Sequence, residues 1–237
     1  MDNYELIAFN KMKKWEDTMK SKPRKINDFS KKAQDKVNSI LPEKYHSIMT
    51  EVIKNMVKVV IMGAEYTINP PLLYIPLRER ERLVNERVEF YRKTAGITGV
   101  TTGIGGFISA MADFPILIAL KVKLLYEIAS IYGYNAKDYR ERLYILYIFE
   151  LAFCSENRRL EVFIILKNWD IYVDSLPERK EDFDWRKFQQ EYRDYIDLAK
   201  LLQIVPVVGG VVGGIANYRL VDKLGDTAIN CYRLRYF

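Results

Sequence analysis

Apolar residues recur at steps of three and four along most of the chain. No sustained alternation of apolar and polar positions accompanies them, so the pattern predicts an all-α protein. Leu6, Phe9, Met12, Trp15 and Met19 share one helical face and predict an amphipathic helix over 3–20, broken at Pro23. A short basic helix over 30–40 and a longer one over 43–62 follow, the second ending at Gly63. The stretch NPPLLYIP, residues 69–76, reads as a linker because its three prolines cannot continue a helix. Beyond it, Leu77, Val84, Val88 and Tyr91 align on one face over 77–93.

From Ala95 to Ala112 the chain carries no charge. Asp113 then has the chemistry of an N-cap, and Pro115 suits a first turn, so a new helix is expected from there to Tyr132, closed by Gly133. Residues 138–153 and 157–172 predict two more apolar helices, and 174–184 a polar surface connection. A helix over 185–203, a second uncharged glycine-rich patch and a last amphipathic helix complete a bundle of roughly eight helices. The expected division is a basic peripheral arm, 1–66, and a helical core, 77–237, holding both glycine-rich apolar segments.

Nine of the twelve glycines fall in two places, 96–106 and 209–214. Gly99 and Gly103 are one helical turn apart, as are Gly209 and Gly213, and Gly210 and Gly214. Such spacing bares one helix face and lets a neighbouring helix, or an acyl chain, approach closely. Neither patch has the GxGxxG or GxxxxGK[ST] order of a phosphate-binding loop. A buried hairpin accounts for the two segments; a hairpin that dips into a membrane is the alternative, since each uncharged run is close to spanning length.

Composition narrows the chemistry. The chain has 237 residues, 49% hydrophobic and 29% charged, which suits a folded protein with a sizeable core. The single histidine, His46, excludes a multi-histidine metal site within one chain, and no HExxH, GxSxG or CxxC motif is present. No metal or cofactor is expected. Cys154 and Cys231 are far apart and read as buried thiols in a reducing compartment. A net charge of +6 suits an acidic partner. Lys11, Lys13, Lys14 and Lys20 on the first helix, with Arg78 and Arg82, are the candidate contacts to an anionic surface. Nucleic acid is not expected, for want of a concentrated basic stripe with interleaved aromatics. Lys121 and Glu150 interrupt apolar faces and are expected to snorkel to the surface; mutual pairing is the alternative. Asp113, Asn217, Arg219, Asp222 and Asp226 are the candidate polar pocket.

The blocks MADFPILIALKVKLLYEIASIYGY and IVPVVGGVVGGIANYRLVDKLGDTA resemble the EcsC family, and KKAQDKVNSILPEKYHSIMTEVIKNMVK resembles the N-terminal stretch of a full-length bacillary member. The resemblance covers nearly the whole chain. Its most specific residues are Asp113, Pro115, Tyr132 and Gly133 in the first block and Pro206, Gly209, Gly210 and Asn217 in the second. It brings no catalytic set. It implies a bacterial accessory protein encoded beside the ATPase and membrane subunits of an ABC transporter, at the cytoplasmic face of the cell membrane. Three functions follow as expectations: binding to an anionic membrane or lipid, docking on transporter subunits, and hydrolysis of a lipid or peptide in a pocket holding Asp113, Arg219, Asp222 and Asp226. Oligomeric state is left open.

Overall fold

The computed structural model describes residues 1–21, 51, 53–57, 60, 68–103, 106–195 and 210–237, with side chains except at 96–103, 106–117, 193–195 and 210–217. The fold is all-α. Among the described residues it has α1 (Asn3–Lys20), α2 (Leu77–Gly103), α3 (Gly106–Tyr132), α4 (Tyr139–Phe153), α5 (Glu156–Lys167), α6 (Trp169–Asp174), α7 (Trp185–Tyr195) and α8 (Gly210–Tyr236), with a short 3-10 turn at Lys180–Asp182.

Three helices of 27 residues each, α2, α3 and α8, form the centre. At about 1.5 Å per residue each is about 40 Å long. α2 and α3 run antiparallel, joined by Arg80 Nη1 to the Ile131 carbonyl (2.6 Å) and by Tyr91 to Glu127 (2.7 Å). α8 runs antiparallel to α2, with Arg233 on Glu81 near one end and Arg92 on Asp222 further along. α4 is buried along almost its entire length. A helix apolar all round must lie inside, and LYILYIFELAF supplies that face on every side. Asp138 caps it by accepting from Arg140 N–H at 2.9 Å.

Buried ion pairs lock the helices together. Arg233 grips Glu81 through two hydrogen bonds of 2.7 and 2.6 Å, and Tyr4 of α1 donates to the same carboxylate at 2.7 Å. Arg235 holds Glu141 at 2.7 Å and lies over the Tyr134 ring at 3.6 Å; Tyr232 donates to Glu141 at 2.7 Å. Bidentate geometry with every oxygen engaged is what makes a buried carboxylate tolerable.

Several expectations change. Asp113 is not a cap: α3 starts at Gly106 and passes through both Asp113 and Pro115. A proline deletes one helical hydrogen bond, and the long apolar helix continues across that loss. The expected 157–172 helix divides at Asn168 into α5 and α6. Lys121 does not snorkel; it is 1% exposed, and burial pushes its ammonium down to about 7. Glu150 is equally buried and pairs with Arg158 of α5 at 3.0 Å. Burial raises its carboxyl to about 7 although Arg158 pulls the other way. The expected helix over 30–40, His46, Gly209 and the end of the 185–203 helix lie outside the described residues; Ile53, Met56 and Val57 are helical and buried.

Candidate functional site

The last helix carries Arg219, Asp222 and Asp226 at positions i, i+3 and i+7, which share one helical face. Leu220, Val221, Leu224 and Ala228 occupy the other face and are buried. The polar face therefore looks away from the core. It forms one wall of a cleft of about 490 Å³, closed by Trp15 and Met19 of α1, Leu151 and Cys154 at the end of α4, and Glu156 and Arg159 of α5.

Charge in the cleft is organised in pairs. Arg92 binds Asp222 at 2.9 Å and lies 4.4 Å from the Tyr218 ring centre. Arg159 pairs with Glu156 and donates to the Ser21 carbonyl at 2.9 Å, tying the end of α1 to α5. The Asp226 carboxyl is raised, first by burial and then by neighbouring Asp222. Of the candidate polar pocket, Arg219, Asp222 and Asp226 line the cleft. Asp113 lies on α3 and Asn217 on α8, with side chains outside the described set. No group of three metal-ligating side chains occurs among the described residues.

The candidate anion contacts separate into two kinds. Lys13 and Lys20 bind Glu16 at 3.2 and 2.7 Å, and Lys167 of α5 binds it too. Burial opposes ionisation of Glu16, but these three lysines outweigh it and hold the carboxyl at about 2. Arg82 is taken up by Glu79 and Glu86. Lys11, Lys14 and Arg78 are exposed. The inward face of α1 is Ala8, Met12 and Glu16, so Leu6 and Ile7 point outward at 51% and 47% exposure. Hydrophobic spacing put Leu6 on one face with Met12; the polar contacts of Tyr4 with Glu81 and Glu16 with Lys167 fix a rotation that buries Met12 and leaves Leu6 exposed.

The described glycines of the two patches lie in the end turns of the long helices. Gly99 and Gly103 are in the last turns of α2, and Gly210, Gly213 and Gly214 are in the first turns of α8. A glycine outside both patches shows how closely these helices approach: a Cβ on Gly225 would sit 2.7 Å from Cγ2 and 3.0 Å from Cγ1 of Val88. A second cleft, of about 550 Å³, lies beside the 69–72 linker, where Glu127 accepts from Tyr91 and approaches Arg87 at 3.3 Å. The only sequence sign of it was a glutamate inside an apolar helix.

The fold and cleft define an all-α bundle with a polar interhelical cleft and a partly apolar, partly basic outer face on its first helix. The chain belongs to the EcsC protein family, whose sequence model matches residues 7–237. It is 43% identical to Protein EcsC of Bacillus subtilis (strain 168) over 208 residues, 87% of this chain and 85% of that one. It is 33% identical to Uncharacterized protein YdbA of the same organism over 141 residues, 60% of this chain and 52% of that one. No solved structure matches the chain.

Proposed function

We propose that the protein is a peripheral membrane-surface protein that binds anionic lipid through the outer face of α1. The observation that carries this reading is the composition of that face: Leu6 and Ile7 are half exposed, and Lys11 and Lys14 follow one and two turns along the same helix. Apolar residues that enter the headgroup region beside lysines that meet its charge are the pattern of interfacial binding. Each lysine near such a surface contributes about 1 kcal/mol. No helix among the described residues is long and apolar enough to cross a membrane. A protein held there stands where an accessory subunit meets an ABC transporter, the role the family resemblance implies.

The test is vesicle co-sedimentation of variants that leave the interior intact. Replacing Leu6 and Ile7 together by Ser should weaken binding to anionic vesicles by about tenfold or more, with an unchanged melting temperature. Lys11→Glu with Lys14→Glu should act chiefly at low salt. Binding indifferent to both pairs would reject α1 as the contact.

The cleft favours a second reading, hydrolysis of a lipid or peptide. Asp226 would supply the proton, Asp222 the fixed charge and Arg219 the clamp on a developing anion. It requires ester or peptide hydrolysis by the purified protein that disappears in Asp226→Asn without loss of fold.

A further inference from the structure

The linker before α2 is fastened on both sides of its tip. Leu72 N–H donates to the Ser130 carbonyl at 2.7 Å, and the Ser130 hydroxyl donates to the Asn69 carbonyl at 2.8 Å. Arg80 donates to the carbonyls of Leu72 (3.0 Å), Ile75 (3.1 Å) and Ile131 (2.6 Å). One guanidinium thus grips the chain before and after residues 73 and 74 and ties both grips to the end of α3. Gly133, at φ +92, packs so closely there that a Cβ would lie 2.9 Å from Arg80 Nη1.

What this clamp presents is apolar. Leu73 is 55% exposed and Tyr74 98% exposed, and Tyr74 is the one described non-glycine residue with positive φ, at 60°. A bulky L-residue seldom adopts that conformation, and here no contact within the described chain rewards it. The tip shares its end of the bundle with the start of α1. Tyr4 joins α1 to Glu81, beside Arg80, and Phe9 meets Phe237 edge-on with ring centres 5.3 Å apart. Met1, Leu6 and Ile7 are exposed at the start of the chain and Phe237 at its end, and Arg78 is exposed at the head of α2.

We infer that the Leu73–Tyr74 tip is a preformed anchor that enters the interfacial layer of an anionic lipid bilayer alongside α1. The inference rests on the membrane-surface reading above and adds a second contact built by a different part of the chain. A bilayer is the occupant that fits. The exposed apolar groups come from separate segments, which a fluid surface accommodates, and an exposed basic residue, Arg78, follows the tip in sequence for anionic headgroups. Tyrosine, with an apolar ring and a polar hydroxyl, is enriched at this depth.

The experiment places an environment-sensitive fluorophore on Tyr74→Cys in the full chain. Cys154 and Cys231 are buried and leave the new thiol as the reactive one. On vesicles of mixed phosphatidylcholine and phosphatidylglycerol the emission should shift to the blue and be quenched by spin-labelled lipid. The same label on Glu181→Cys, in the exposed 3-10 turn, should do neither. In parallel, Tyr74→Gly relieves the backbone, so its melting temperature should stay level or rise while vesicle affinity falls by about threefold to tenfold. If the labelled protein sediments with vesicles but its fluorophore reports water, the anchor is refuted and the α1 contact stands. If Tyr74→Gly binds as well as the native chain, the anchor is likewise refuted. If the intact protein does not sediment with the vesicles, both readings fall.

Discussion

Single residues in this protein show how far a side chain's chemistry depends on partners distant in sequence. Glu150 interrupts an apolar run, and its neighbours in the chain say nothing of Arg158 folding back from α5 to meet it. Its carboxyl rises from 4.5 to about 7, chiefly through burial. The folded state therefore holds that proton more tightly than the unfolded chain does, and the protein loses stability as pH rises from 4.5 through 7. Glu150→Gln removes this titration. The urea midpoint of the variant should gain on that of the native protein across that interval, and parallel pH profiles would contradict the burial argument. Lys121 and Glu150 were both expected to reach solvent because spacing alone cannot distinguish a surface stripe from a helix enclosed on all sides. Arg219, Asp222 and Asp226, at i, i+3 and i+7, share a helical face whatever surrounds them.

At the scale of elements, helix existence was readable and helix rotation was not. Periodicity located α1, α4 and the close of α3 at Gly133. It did not separate Leu6 from Met12, because Tyr4 and Glu16 fix α1 through polar groups that a hydrophobic count ignores. It also placed a helix start at Asp113, where the backbone runs on through Pro115. The α2–α8 pair offers the sharpest test of packing. Arg233 meets Glu81, Gly225 meets Val88 and Asp222 meets Arg92, an antiparallel register whose continuation would set Gly214 beside Gly99 and Gly210 beside Gly103. Gly225→Ala should destabilise the protein by about 1–3 kcal/mol through overpacking, and adding Val88→Ala should return part of that loss. If the register persists into the patches, Gly210→Leu carries a penalty of the same order, roughly 1–3 kcal/mol. An unchanged melting temperature for Gly210→Leu would show that the patches do not meet, and full loss in the Val88→Ala, Gly225→Ala double variant would remove Val88 as the cause.

At the scale of the whole molecule, the long helices set two groups of residues apart. The glycine-rich turns gather where α2 finishes and α8 begins. At the other end, where α1 and α2 begin and α8 finishes, Met1, Leu73, Tyr74, Tyr236 and Phe237 are exposed. α1 belongs to both the packing and the surface: Ala8 and Met12 are buried and Tyr4 reaches an interior ion pair, while Leu6, Ile7, Lys11 and Lys14 face out. Removing residues 1–20 would thus disturb the interior as well as the surface, and point substitutions on the outer face are the cleaner probe. The most direct measurement is co-sedimentation of the intact protein with anionic and with neutral vesicles across a salt series. Screening shortens from about 10 Å at 0.1 M to about 3 Å at 1 M. The protein should bind anionic vesicles at low salt, bind neutral ones less, and be released in part at high salt. Equal indifference to both kinds of vesicle at low salt would contradict membrane-surface binding.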